Sequence, residues 1–384
     1  MPRENVSFKG VQEVKTTTII TKNSFKFSKV CDPMKQGYNI LDSQQSLSRS
    51  SEKYRMGFRL YKGLVFNLCG RKVPLFCGHK LTYNCNLKCK MCPFWKRTSP
   101  DSSLAQEKAI IKKIYNSGAC GVAFEGGEPL LRKDLPEILA FSRSLSLQTS
   151  LITNGTLLES RIDEIAPYIN GSLFISLDGL EQTHDSIRGV NGSFAKTLRG
   201  ISAAKDKVPI TINATVMAEN IDEIEDIVVL AKELNIKISV AIAHEYCNAN
   251  ASSPDVAKIP KIAHRLIEMK LEGYPIVNSR GYFKVIANEK KWKCKPWAII
   301  NIDANGNVVL PCYVHNDYAS TASIFENSVK DAVFKFDWKK VKNCKKCTLH
   351  CYVEPSLVLS RDFNTYLDWL RNYRRRYVPD KLNS

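Results

Sequence analysis

Leu81-Thr82-Tyr83-Asn84-Cys85-Asn86-Leu87-Lys88-Cys89-Lys90-Met91-Cys92-Pro93 places three cysteines within eight residues, spaced Cys-x3-Cys-x2-Cys. Thiolates so spaced fit a loop wrapped round one corner of a cubane iron–sulfur cluster, which usually takes four cysteines. No fourth cysteine follows nearby, so one iron is left for another ligand, as a catalytic zinc keeps one position open. A zinc site with Cys77 or His79 as fourth ligand is the alternative. Zinc knuckles pair their ligands as Cys-x2-Cys, and the x3 spacing fits them poorly.

Outward from this run the chain alternates. Strand-like stretches at 79–83, 120–125, 147–153, 172–177, 209–216 and 236–242 are separated by helix-like stretches at 104–117, 134–145, 157–167, 194–206 and 219–234. The alternation predicts a parallel sheet covered by helices. Right-handed crossovers then put the loop after each strand on one face, where barrel sites lie. The second strand runs into Gly126-Gly127-Glu128-Pro129, where glycines let backbone approach a ligand closely and a carboxylate complements an ammonium. Thr153-Asn154-Gly155 ends the third strand. Ser176-Leu177-Asp178-Gly179 ends the fourth, followed by His184-Asp185-Ser186-Ile187-Arg188-Gly189. Singly these are common turns. Their succession at strand ends marks a site, and an Arg fork suits a carboxylate.

At this point the chain resembles the radical S-adenosylmethionine (SAM) superfamily. The resemblance implies a partial (β/α)6 barrel in which Cys85, Cys89 and Cys92 hold a [4Fe–4S] cluster. The open iron would chelate the amino and carboxylate groups of SAM. Gly126, Gly127, Glu128 and Pro129 would form the turn that holds the SAM amine. Asn154, Ser176 and Asp178 would lie along SAM, and Arg188 would meet its carboxylate. Met91 stands where an aromatic residue often precedes the third cysteine, a position that works mainly through its backbone. The implied chemistry is one-electron cleavage of SAM, fed by a flavodoxin- or ferredoxin-type donor, to a 5′-deoxyadenosyl radical that abstracts hydrogen.

Beyond about residue 275 the alternation stops and cysteines return. Asn305-Gly306 between apolar runs predicts a hairpin that draws Cys294 and Cys312 together. Cys344, Cys347 and Cys351 follow. The segment resembles the SPASM and twitch extensions, and that implies one auxiliary [4Fe–4S] cluster on Cys294, Cys312, Cys344 and Cys347. Cys351 is the alternative fourth ligand, and a four-thiolate zinc is the alternative occupant. The expected organisation is a loosely docked leader over 1–55, a core over 56–275, a cysteine-rich domain over 276–360 and a basic helix or tail over 361–384.

A chain of 384 residues, 44% hydrophobic, can bury a full core. It has neither the apolar run a membrane span requires nor a signal-peptide pattern, so a cytoplasmic protein is expected. Thirteen cysteines then point to metal rather than disulfides. Cys31, Cys69, Cys77, Cys120 and Cys247 read as small buried apolar side chains. The run Thr16 to Ile20 could pair as a strand. Phe58 to Lys72 reads either as a helix covering an open end of the barrel or as an amphipathic helix on a membrane surface.

The formal charge of +18 favours an acidic substrate or an anionic surface. No nucleic-acid module accompanies the basic aromatic run 371–377, which leaves RNA modification a minor reading. The leading functional reading is a maturase that oxidises or crosslinks a peptide or small-molecule precursor. Residues 1–55 read poorly as the leader-binding module many peptide maturases carry. Action on membrane lipids or isoprenoids is the alternative. A purely electron-transferring protein would give the open iron and the Gly-Gly-Glu-Pro turn no purpose.

Overall fold

The β1 strand, Phe76–Lys80, is the axis of the molecule, because it is paired on both edges by parallel strands far apart in sequence. The computed structural model describes residues 49–243, 253–314, 320–341, 344 and 347–377, all within one compact unit, Gln45–Ser384. The expected strand at 16–20, together with Cys31 and Cys247, lies outside the described residues.

On one side of β1 run β2 (Gly121–Glu125), β3 (Gln148–Thr153), β4 (Leu173–Ser176), β5 (Ile210–Val216) and β6 (Lys237–Ile242), each parallel to the last. Between them lie α2 (Leu104–Asn116), α3 (Leu135–Ser144), α4 (Leu158–Ile165), α5 (Glu181–Arg188), α6 (Ser193–Ala204) and α7 (Ile224–Glu233), after an N-terminal α1 (Arg49–Leu68). α2 begins on a capping box: Ser103 accepts from the Gln106 amide while the Gln106 side chain accepts from the Ser103 amide.

Strand periodicity explains where the core sits. Val122, Phe124, Leu151, Leu173, Ile175 and Ile212 face the helices and are almost wholly buried against side chains such as Ile111, Ile138 and Ile162. The alternate residues Ala123, Ile152, Phe174, Ser176, Asn213 and Thr215 stay half-exposed on the inner face. A closed eight-stranded barrel fills that space with branched side chains. Here Ala123, Ser176, Asn213 and Thr215 stand among the residues of the inner face, which stays accessible toward the C-terminal strand ends.

The cysteine-rich segment continues this same sheet. After α8 (Ile259–Leu271) and α9 (Arg280–Ile286), β7 (Ile299–Ile302) pairs parallel with β1, and β8 (Asn307–Leu310) and β9 (Ser320–Ser323) add antiparallel. The sheet order is β6-β5-β4-β3-β2-β1-β7-β8-β9. The predicted hairpin joins β7 to β8, with the Asp303 carboxylate accepting from the Asn305 and Asn307 amides. α10 (Val329–Lys335), α11 (His350–Leu359) and α12 (Phe363–Tyr377) close this side.

Three expectations change. β1 begins three residues earlier than the sequence suggests, because Leu81 to Tyr83 leave the sheet to feed the cysteine loop. Residues 49–55, assigned to a loose leader, are the first turns of α1. They are anchored by Glu52, which accepts from Arg143 and Asn170. α1 lies across the N-terminal ends of the strands: Arg59 donates to the carbonyls of Tyr115 and Ala119, and Asn67 accepts from the Trp297 indole. Cys69, read as a buried apolar side chain, is half-buried just beyond α1 and is disulfide-bonded.

Candidate active site

The cysteine loop stands at the C-terminal end of β1 and is held by its backbone. The amides of Lys88 and Lys90 donate to the carbonyls of Arg188 and Ile187 at the end of α5. The Trp95 indole donates to the Cys89 carbonyl at 3.1 Å, and the Cys92 amide to the same carbonyl at 3.2 Å. Cys89 is buried, while Cys85 and Cys92 are half-buried. Burial pushes the Cys85 thiol up to about 11, with the neighbouring acids Glu128, Cys89 and Cys92 adding to it. A bound cation inverts such a shift by stabilising thiolates outright.

The Gly-Gly-Glu-Pro turn is wedged against this loop. The Gly127 amide donates to the Thr82 carbonyl and the Glu128 amide to that of Asn84, both at 2.8 Å. A Cβ on Gly127 would stand 2.1 Å from the Asn84 oxygen, so only glycine permits the approach.

Glu128 is held by the protein around it. Its carboxylate is wholly buried and accepts from the Leu130 amide (3.0 Å), Thr153 Oγ1 (2.7 Å) and the Asn154 amide (2.8 Å). Burial raises its pKa, and these donors oppose the rise. Committed to these donors, the side chain staples the end of β3 to the turn.

The other strand-end residues divide in the same way. Asn154 bridges to the cysteine loop, its amide donating to Asn86 Oδ1 at 2.8 Å. Asp178 is wholly buried, accepts from the Thr215 amide and forms an ion pair with Arg188. The Arg188 guanidinium also reaches Cys89 Sγ at 3.7 Å. Asp178 thereby fixes the position of Arg188. Arg188 keeps its Nε without a hydrogen-bond partner. His184 accepts from the Asp178 amide through Nδ1, and burial holds its pKa down to about 3.

Ser176 faces inward in register with Asn213, which is in register with Ser239. The Asn213 Oδ1 and Ser239 Oγ atoms, like His184 Nε2, are buried without partners. Unsatisfied polar atoms on an inner barrel wall fit a polar, zwitterionic ligand such as SAM. Asn213 and Ser239 escape a sequence reading because a single polar residue inside an apolar strand reads as noise. The same is true of Lys80 and Glu125, an ion pair of 2.8 Å on that face. The Lys80 ammonium also lies 4.4 Å from the Phe94 ring centroid and 4.7 Å from that of Tyr313.

The C-terminal cysteines converge on a second site. Cys294, Cys312, Cys344 and Cys347 line one pocket with Pro296, Pro311, Val341 and Tyr352. Burial raises the Cys294 and Cys347 thiols, and the nearby cysteines raise them further. Four thiols ringing an apolar pocket suit a cluster. Cys351 does not line the pocket. Its thiol is pushed up to about 12 by burial, with Glu125 of β2 as the next cause.

Comparison with known proteins agrees with this geometry. Residues 80–231 match the Radical SAM superfamily, and residues 236–370 match a domain of unknown function, DUF3463. The chain is 32% identical over 161 residues to an Fe-coproporphyrin III synthase of Methanosarcina barkeri, covering 41% of this chain and 40% of that protein. It is 28% identical over 269 residues to the antilisterial bacteriocin subtilosin biosynthesis protein AlbA of Bacillus subtilis, covering 67% and 58%. The chain thus spans about half the length of these relatives. Streptococcus suis SuiB bound to S-adenosylmethionine superposes with a TM-score of 0.60 at 20% identity, over 76% of this chain and 72% of that one. The anSMEcpe structure with bound AdoMet and Cp18Cys peptide gives 0.58 at 21%, over 81% and 98%. At these identities the structures share the fold.

Proposed function

We propose that this chain, whose residues 80–231 match the Radical SAM superfamily, is an oxidising maturase acting on a peptide or a small-molecule precursor. The observation that carries the reading is one juxtaposition: a three-cysteine loop, a glycine turn and partnerless polar atoms share the accessible end of a partial barrel, beside a second cysteine pocket. Relatives that include a bacteriocin biosynthesis protein and haem-pathway synthases support the breadth of this substrate class.

In this reading Cys85, Cys89 and Cys92 hold the core [4Fe–4S] cluster, and Cys294, Cys312, Cys344 and Cys347 hold an auxiliary one. When bound, the core cluster and SAM supply a 5′-deoxyadenosyl radical able to abstract hydrogen from an unactivated C–H bond. The chain's own residues orient and enclose. The backbone of Gly126 and Gly127 lines the amine end of SAM. Arg188, fixed by Asp178, sets the charge beside Cys89, and Ser176, Asn213 and Ser239 offer hydrogen bonds along the inner wall. Lys80 and Glu125 face the substrate space. The exposed Lys88, Lys90, Lys96 and Arg97 surround the cysteine loop and suit an acidic one-electron donor of the flavodoxin or ferredoxin type.

The test is anaerobic reconstitution with iron and sulfide, reduction, and assay of 5′-deoxyadenosine. The expected result is about eight irons, four per cluster, and slow SAM cleavage even without substrate. Deuterium passing from a candidate substrate into 5′-deoxyadenosine then identifies the class acted on. Zinc in place of iron, or no 5′-deoxyadenosine, overturns the proposal.

A further inference from the structure

The outer face of α1 is unlike the rest of the surface. Tyr54, Phe58, Tyr61, Val65 and Leu68 recur at i, i+4, i+7, i+11 and i+14, the spacing of one helical stripe. That stripe points away from the barrel. Tyr54 is 78% exposed, Phe58 53%, Tyr61 56% and Leu68 38%. The opposite stripe, with Glu52, Met56, Arg59, Gly63 and Asn67, makes the contacts that seat the helix. The helix therefore has an anchored face and an aromatic one, and only the first is explained by the fold.

Charge completes the pattern. Glu52 is the one carboxylate in residues 49–72, and it is turned inward against Arg143. Arg55 and Lys62 are exposed along an edge of the stripe, and Arg71 and Lys72 are exposed just past its end. Lys62 and Arg71 lie over the half-buried Phe66 ring at 5.5 and 5.2 Å, which holds these cations along one edge of the helix. Aromatic and aliphatic side chains with cationic edges and no exposed acid match the boundary layer of an anionic membrane. There rings enter the headgroup region and lysine or arginine stems keep their charge in water.

We propose that α1 docks this enzyme in the plane of an anionic lipid surface through Tyr54, Phe58, Tyr61 and Leu68, with Arg55, Lys62, Arg71 and Lys72 meeting the headgroups. The proposal is independent of the reaction. α1 covers the N-terminal ends of the strands and the cysteine loop stands at their C-terminal ends, so a docked molecule turns its site away from the lipid. No helix among the described residues is long and apolar enough to cross a membrane, so the contact is peripheral.

The experiment is flotation of the full-length reconstituted protein with vesicles of phosphatidylglycerol and phosphatidylcholine, against phosphatidylcholine alone and against added salt. The protein is expected to float with the anionic vesicles only, less so as salt rises. Arg55→Gln and Lys62→Gln should each lower the partition about fivefold, the equivalent of about 1 kcal/mol per cation near the surface. The triple variant Tyr54→Ser/Phe58→Ser/Tyr61→Ser should stop floating while its melting temperature and SAM cleavage stay unchanged, because each of these side chains is more than half exposed. Wild-type protein that does not float overturns the proposal. So does a triple variant whose melting temperature falls, which would show the stripe covered by protein such as residues 1–48.

Discussion

The two cysteine sites are built in opposite ways. The core loop takes its three thiols from eight consecutive residues and is shaped by backbone hydrogen bonds to the end of α5. The second pocket takes four thiols from positions spread between 294 and 347, gathered by packing against Pro296, Pro311 and Tyr352. One site is local and polar in its support; the other exists only once the sheet has been completed. Loss of cysteines should therefore cost chemistry at the first and fold at the second.

The largest expected effect breaks or confirms that contrast. Replacing Cys85, Cys89 and Cys92 with Ala should abolish 5′-deoxyadenosine formation and leave about half of roughly eight irons. The melting temperature should barely move. Cys347→Ala should remove the other half and lower the melting temperature, because the binding energy of a structural metal group is folding energy. If the auxiliary cluster also accepts an electron from substrate, Cys347→Ala will keep SAM cleavage and lose the oxidised product. Equal loss of both activities with a lower melting temperature assigns it a structural role alone.

The next effect concerns the ion pair under the core loop. Arg188→Ala strands the buried Asp178 carboxylate and should destabilise by about 3–5 kcal/mol, read from denaturant unfolding. A loss below about 1 kcal/mol, the range of an exposed pair, would show that Asp178 is not desolvated.

How legible these sites are in the sequence follows from the same contrast. The cysteine triplet, the glycine turn and the strand alternation lie within short windows, where spacing maps directly to geometry. β2 to β6 accordingly fall within a residue or so of their expected ends. The pairing of β7 with β1 joins residues over two hundred positions apart, and nothing in either strand announces the other. Residue type alone also leaves out what holds the carboxylates in place. Glu128 and Asp178 read as ligand-facing acids in the sequence, and the structure adds the donors each accepts from within the protein.

Glu128→Ala tests what that side chain does. It orphans the buried amides of Leu130 and Asn154, at about 1–3 kcal/mol each, so SAM affinity and stability should fall together. Weaker SAM binding at unchanged stability would point to a direct contact with the ammonium. The smallest effect is a pH slope from His184. Its folded pKa of about 3 lies below the ordinary value of 6.5, so the unfolded chain takes up the proton first as pH falls. Stability is full above pH 6.5 and should drop by about 2 kcal/mol by pH 5, a slope that His184→Asn removes. The measurement is denaturant unfolding at both pH values, and an equal slope in wild type and variant would place the titration elsewhere.

The seating of β7 beside β1 also has a consequence in time. Ile299 emerges from the ribosome 223 residues after Phe76, its partner in the sheet. At roughly 5–20 residues per second, β1 waits about 10–45 s with one edge bare. During that interval the nascent barrel presents an unpaired strand, the hazard that folded proteins cover or blunt. Throughout it the three thiols at the end of β1 stand beside an uncovered edge. The order of synthesis thus leaves a window in which metal can be loaded, and an equal window in which the half-made chain must be guarded from its neighbours.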